Sequence, residues 1–478
     1  MSNLSELLPA GAGAKSASFV ASGTLGSGVT VALNSDGTVE AIGTVTEGFG
    51  SPSVFQLNNV QWVTSIFDSN SNKVVIAYRN PTNSNYGTAV VGTVSGTSIS
   101  FGTAVVFQSS LIDYISITFD STAHKIVIAY RNEDNLDYGT AIVGTVSGTS
   151  ISFGSSVVFE SANTTYIGTT FDAINGKVVI AYRDGGNADA GTAIIGTVSG
   201  ASISFGSPST FTTDVSDTAL AFDSNAEKVV IIFRNNANLN YGTGVVGTVS
   251  GTSISFGSLA VFESADSAYN VVSFDSNSNK IVASYSDVGN SNYGTAVVGT
   301  VSGTSISFGT PVIFESAAIT SLSSAFDSNA NKVVISYKDT GNSNYGTAVV
   351  GTVSGTSISF NTPIVFENAA VDYTSAIYDA TNKKVVISYR DIGGSLYGTS
   401  IVFQNAASNN TSFIGITDQA IAYTATGAVI VQGGVSDKVS SLTTGSDYYV
   451  QSNGTLSTTV SSVPAGRALS STSILLEG

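Results

Sequence analysis

The stretch YISITFDSTAHKIVIAYRNEDNLDYGTAIVGTVSGTSISFGSSVVF, residues 114–159, reads as four short strands in a row. Residues 114–120 alternate and end in a polar turn. Residues 125–131 follow, with Ile126, Ile128 and Tyr130 on one face. Residues 140–146 and 151–159 complete the set. Val, Ile, Thr, Phe and Tyr fill the strands, while Gly, Asn and Ser fill the breaks. The period is two throughout, and no stretch sustains a helical period.

The stretch is one copy among seven. Phe-Asp, once Tyr-Asp, ends at Asp68, Asp120, Asp172, Asp223, Asp275, Asp327 and Asp379, at steps of 51 or 52 residues. A Tyr-Gly-Thr follows each, at Gly87, Gly139, Gly191, Gly242, Gly294, Gly346 and Gly398, with Ala190 once replacing Tyr. A Gly-Thr-Val also occurs seven times, but its first copy, at Gly43, precedes the first Phe-Asp, and none follows Gly398. The array is therefore circularly permuted, as a closing ring requires. Four-strand units at this period imply an all-β, seven-bladed β-propeller over residues 42–404, with residues 43–55 completing the blade begun by residues 376–403. Closure removes the open sheet edge.

The flanks share a shorter pattern. Leu25 leads to Gly28, then to Asn34-Ser-Asp-Gly37 and Thr38; Leu442 leads to Gly445, then to Gln451-Ser-Asn-Gly454 and Thr455. Asp-Gly and Asn-Gly between alternating apolar residues mark hairpins. Residues 1–41 are expected to form an N-terminal hairpin module for anchoring and oligomerisation, and residues 405–478 a C-terminal β module. Because a ring brings its ends together, a joint β domain follows.

Composition narrows the function. The net charge of −16 repels nucleic acid. There is no Cys, so disulfides and thiolate metal sites are excluded. Residues 1–21 carry no basic leader followed by an apolar run, and no 18-residue apolar run exists for a membrane helix.

With these features in place, a resemblance emerges. The opening Ser2-Asn-Leu-Ser-Glu-Leu-Leu-Pro9, with Gly11 and Gly13, resembles the start of cyanophage virion structural proteins. The tail, with Tyr448-Tyr-Val-Gln451, Gly454-Thr-Leu-Ser-Thr458 and Gly466-Arg-Ala-Leu-Ser470, is similar to a C-terminal module of phage tail-fibre proteins. The repeat itself resembles repeats in such proteins. The resemblance implies a virion component, a fibre or spike, assembled in the host cytoplasm with other virion proteins. It also implies self-association, as a homotrimer. The propeller would bind a host-surface glycan such as lipopolysaccharide. A capsid or tail decoration protein without ligand, and a glycan-degrading tailspike, are the alternatives.

Three rings of side chains recur with the repeat. The first is the turn pair Asp68/Lys73 and its six equivalents. Asp68, Asn70 and Asn72 are spaced like a calcium loop, but the loop's later Gly and Glu are missing and residues 120–124 lack ligands, so no metal is expected. An Asx-type turn with a cross-hairpin Asp–Lys pair is the expectation. The second ring is Arg79, Arg131, Arg183, Arg234, Lys338 and Arg390, broken by Ser286. It reads either as inter-blade ion pairs or as a rim for acidic groups. The third is Trp62, Tyr114, Tyr166, Asp217, Tyr269, Ser321 and Tyr373, at the start of each first strand. It reads as channel packing or as a sugar-stacking surface. A glycan site would use Trp62, Tyr114, Tyr166, Tyr269 and Tyr373, with Arg79, Arg131 and Arg390 beside them.

Enzyme signals are poor. His124 lies in a repeated turn, no nucleophile elbow or phosphate loop is present, and the Asp-box turns of propeller sialidases are missing. No catalytic residue and no cofactor is assigned.

Overall fold

The computed structural model describes residues 16–34 and 36–477. Residues 1–15, including the Ser2–Pro9 opening and Gly11 and Gly13, lie outside the described residues. Among the described residues every regular element is a strand or a three-residue 3-10 turn. The chain divides into two compact units, Gly48–Asn405 and the paired flanks Met1–Glu47 with Ala406–Gly478. The boundaries thus fall a few residues from those read at 41/42 and 404/405.

In the larger unit each repeat is an antiparallel meander. In the second, Val105–Asp120 pairs Lys125–Asn132, which pairs Tyr138–Ser147, which pairs Ser150–Phe153. Val105–Asp120 serves two meanders. Its first half pairs Tyr86–Ser95 of the preceding repeat, and its second half opens the next. The second strand is the centre of each core. Val127, Ile128, Ala129 and Tyr130 are all fully buried on both faces, which is why KIVIAY has no polar alternation. Packing runs between consecutive meanders: Val75, Ala77, Ala89 and Val91 of the first meet Ile126, Ile128 and Ile142 of the second. The seventh meets the first in the same manner, with Ile377, Val386 and Val402 packed on Phe67, Val74 and Ile76.

The glycine of Tyr-Gly-Thr has a steric cause. A Cβ on Gly87 would lie 2.5 Å from Phe107, and on Gly242 2.3 Å from Phe262. The third strand and the ring of the next Phe touch there, so nothing larger fits.

In the first-to-second-strand turn, Asp120 Oδ1 accepts from the backbone N–H of Thr122 and Ala123, at 2.9 and 2.8 Å, and all seven repeats keep this pair of bonds. The Asx turn is therefore present, but the cross-hairpin Asp–Lys pair is not. Four of the seven lysines reach across the ladder instead: Lys73, Lys177, Lys280 and Lys332 donate to Thr93, Thr197, Thr300 and Thr352 on the third strand, while Lys228 donates to the Glu227 carbonyl. Each carboxylate is buried and spends Oδ1 on two backbone N–H groups, and Oδ2 of Asp172 and Asp379 accepts from the side chains of Asn175 and Asn382. His124 takes the left-handed position of its turn, φ 54°, where Asn72, Asn279 and Asn331 stand in other repeats.

The seventh meander takes its last strand from the other end of the sequence. Tyr397–Gln404 pairs Ser53–Asn59, with Tyr397 opposite Asn59, and Phe403 pairs Phe49. The segment 43–55 was expected to do this whole. Its first part does not: Thr44–Val45 pairs Ala407–Ser408 in the flanking unit. The reason lies in Tyr397–Gln404, which supplies the third strand itself, so the Gly43-Thr-Val copy has no place left in the meander.

The flanking unit is built from both ends of the chain. Ser16–Val20 pairs Thr426–Val431, and Thr30–Leu33 pairs Phe413–Thr417. Its core joins Ala32 and Ile42 to Ile416, Tyr448, Val450 and Ile474. The two hairpins are near-copies. Asn34 N–H donates to Thr38 O and Gln451 N–H to Thr455 O, both at 2.9 Å. Asp36 and Asn453 each accept from the residue two positions on.

Candidate functional site: the aromatic mouth

The third ring owes its geometry to the backbone. Trp62, Tyr114, Tyr166, Asp217, Tyr269, Ser321 and Tyr373 all have φ between 47° and 54°. Each sits in a one-strand register shift against its partner, such as that between Asp113 and Ser116. A bulge of this kind re-aims one side chain. The left-handed region costs a non-glycine residue roughly 1–2 kcal/mol, and bulky aromatics rarely occupy it. Seven such residues in one register are a built feature of the fold.

The re-aimed side chains meet. Tyr373, Trp62, Tyr114 and Tyr166 form a continuous arc, with centroid separations of 5.8, 4.7 and 5.2 Å between neighbours. Tyr269 stands apart, 46% exposed. All seven ring positions line one cavity of about 600 Å³. The predicted aromatic set is thus brought together in a single mouth. Burial, then the neighbouring Tyr166 and Asp113, push the Tyr114 hydroxyl up to about 12, so it stays a neutral donor.

The three predicted arginines are placed differently from one another. Arg131 lies over the Tyr114 ring, 5.1 Å from its centroid, and Arg390 over Tyr373 at 4.8 Å. Both are held by carboxylates, Arg131 by Asp113 and Arg390 by Asp372. Arg79 instead donates to Asn85 and faces Glu133 at 3.7 Å. None of the three lines the cavity. Arg131 and Arg390 brace Tyr114 and Tyr373, and all three arginines are paired with acidic groups of the chain. The inter-blade ion pairs exist as well: Arg183–Asp214, Arg234–Asp266 and Lys338–Asp372 each link one repeat to the next. Arg234, outside the predicted set, does line the mouth.

One further layer escaped the repeat reading, although the repeat phase displays it. The residue after each ring position is Val63, Ile115, Ile167, Thr218, Asn270, Leu322 and Thr374, and all seven line the same cavity. Four are apolar. Asn270 is 5% exposed, and among the described residues neither its amide nitrogen nor its oxygen has a hydrogen-bond partner; the Thr218 hydroxyl and Arg234 Nε are likewise unpartnered there. Each such group costs about 1–3 kcal/mol to bury unpaired. Beside them Asp217 accepts from the Tyr269 N–H at 3.3 Å, and burial holds its carboxyl above the usual carboxylate range. The mouth therefore has an aromatic arc on one side and a polar quadrant on the other.

A second recurrent pair was also missed. The buried tyrosines Tyr130, Tyr182, Tyr285, Tyr337 and Tyr389 donate to Gln108, Glu160, Glu263, Glu315 and Glu367 at 2.8–3.0 Å, and Tyr78 to Gln56 at 3.3 Å. In the fourth repeat the acceptor's position holds Thr212, which pairs Gly191 as Glu160 pairs Gly139, and the tyrosine's position holds Phe233. Both partners change together.

No family model matches the sequence, and no curated protein matches it. Solved structures do. The β-propeller domain of Cps50 (Swd1) from Myceliophteria thermophila aligns with a TM-score of 0.50 and 8% identity, over 74% of this chain and 99% of that one. The lectin BP39L from Burkholderia pseudomallei aligns with a TM-score of 0.52 and 10% identity, over 74% of this chain and 98% of that one. At such identities the likeness shows the fold alone: the chain is an all-β protein with a β-propeller architecture.

Proposed function

We propose that residues 48–405 close into a seven-bladed ring whose aromatic mouth binds a glycan, and that the chain carries this site as a fibre or spike component of a virion. Closure is supported by the pairing of Ser53–Asn59 with Tyr397–Gln404 and by Trp62, which touches both Tyr114 and Tyr373. The observation that carries the binding reading is the four-ring arc held at left-handed backbone positions around an open cavity. Aromatic faces stack on the C–H faces of sugars and keep a polar edge for water. A packing layer alone would not require Tyr269 to stand exposed or leave polar atoms unpaired. BP39L, among the similar structures, is a lectin; the ring, and not that likeness, is the ground for the reading. The virion setting rests on the sequence resemblance.

The test is binding of the purified chain to cyanobacterial lipopolysaccharide before and after Tyr114→Ala with Tyr166→Ala. Each stack contributes about 0.5–1.5 kcal/mol, so the double variant is expected to bind roughly tenfold more weakly, with its melting curve still cooperative. Unchanged binding moves the site off this mouth; no binding by the parent chain favours a decoration protein. The polysaccharide is expected to be recovered intact, and released fragments would mark a tailspike hydrolase instead.

A further inference from the structure

The repeats supply an internal control for deciding which polar residues the fold needs. Positions that serve the sheet recur in every meander, as the turn aspartates and the Tyr-Gly-Thr glycines do. Asn270 does not recur: its sister positions hold Val63, Ile115, Ile167 and Leu322, with threonine at Thr218 and Thr374, and of the two threonines Thr374 donates to the Ser321 carbonyl while Thr218 is unpartnered. Asn270 and Thr218 replace apolar residues in this layer and gain no hydrogen-bond partner among the described residues. They are adjacent in the ring, flanked by Asp217 and Arg234, on the side where the aromatic arc is missing. Chain architecture thus explains their burial but not their chemistry.

We propose that this quadrant recognises the hydroxyls of one uncharged pyranose residue, seated on the axis of the ring with its C–H face against the aromatic arc. The inference rests on the glycan-binding reading and assigns that site its ligand class and its selectivity. Asn270 offers one acceptor and two donor hydrogens, the complement of a vicinal diol. Thr218 adds a hydroxyl, and Asp217 adds carboxylate acceptor capacity. An acidic sugar finds no unpaired cation among the described residues of this mouth. Asp217 lines the mouth, Arg131 and Arg390 are held by Asp113 and Asp372, and Arg234 is committed to Asp266 at 2.8 Å. Because Asn270 occurs once, the site count is one per chain and not one per repeat.

The experiment uses the full chain, with methyl glucoside, methyl galactoside, methyl mannoside and methyl glucuronoside as probes, read by calorimetry and saturation-transfer NMR. The expected result is a stoichiometry near one, a preference among the three neutral epimers, and weaker binding of the glucuronoside. Asn270→Leu, the residue of the sister position Leu322, is expected to weaken the preferred glycoside at least tenfold and to flatten the epimer preference. It should also raise the melting temperature, since an unpaired amide leaves an apolar layer. Tyr166→Ala should weaken all three neutral glycosides and leave their order unchanged. A stoichiometry near seven, tighter glucuronoside binding, no binding of any probe up to its solubility, or a lower melting temperature for Asn270→Leu would each overturn the assignment. The glycan-binding reading fails separately, when lipopolysaccharide binding is insensitive to Tyr114→Ala with Tyr166→Ala.

Discussion

At the scale of single residues, the buried tyrosine and its acceptor act as one unit. Tyr337 donates to Glu315 at 3.0 Å, and burial holds the Glu315 carboxyl above the usual carboxylate range. Tyr337→Phe removes the donor and should cost roughly 1–3 kcal/mol. Adding Glu315→Thr should recover most of that loss, because Thr212 and Phe233 already occupy these positions in the fourth repeat. A double-mutant cycle by urea denaturation measures the coupling. The pH dependence has a definite sign. An acid whose folded value is raised contributes stability that is full below its unfolded value and lost as pH rises through the folded one. Acidification from neutral pH should therefore favour the fold at this position, and Glu315→Gln should remove that response. Gln56 and Gln108 show that an amide fits.

At the scale of the element, the Asx turn is the repeated device that ends the first strand. Asp275 is 1% exposed and accepts from the N–H groups of Asn277 and Ser278, both at 2.9 Å. Asp275→Ala should cost about 2 kcal/mol, the value of charge-assisted bonds to backbone. Lys280→Met should cost far less, since Lys280 meets only Thr300; paired thermal melts separate the two. This contrast shows what a sequence displays and what it withholds. The turn was legible from Asp spacing and Asn-rich composition, because local chemistry decides it. The lysine partner was not, because Thr300 lies on a strand whose distance depends on sheet register. The aromatic ring was likewise legible as a phase in the repeat. Its left-handed backbone was not: nothing in Trp62 or Tyr114 as residue types favours φ near 50°, and only the pairing of both flanking strands imposes it. Asn270 could have been found by aligning the repeats one column further.

At the scale of the whole molecule, the permuted repeat was readable because the first Gly-Thr-Val precedes the first Phe-Asp and none follows Gly398. Its exact join was not, since Phe403 rather than Gly43 occupies the closing register. Deleting residues 53–59 removes Phe55 and uncovers the edge of Tyr397–Gln404. A loss of at least ~3–5 kcal/mol follows from the phenylalanine alone, so a sharply lower melting temperature and edge-driven aggregation are expected, read by calorimetry and light scattering. The flanking unit exposes Tyr423 at 65% and Val460 at 76%. We expect it to carry the self-association, as a trimer: native mass measurement should find the full chain trimeric and residues 48–405 alone monomeric. A trimer that survives this truncation would place the contacts on the larger unit.

The pairing of Asn59 with Tyr397 also sets a schedule. The two strands lie more than three hundred positions apart. Synthesis at roughly 5–20 residues per second makes the first wait some tens of seconds for the second. During that interval Ser53–Asn59 has no ladder partner, while the six meanders between can stack one after another as they emerge. The last event is then the pairing of Ser53–Asn59 with Tyr397–Gln404, and every copy still on a ribosome carries an unmated edge. In a polysome, where nascent copies are crowded, that edge can pair with the Tyr397–Gln404 of a neighbour as readily as with its own, giving a swapped dimer. Slower initiation, by spacing the ribosomes, should raise the yield of singly closed chains.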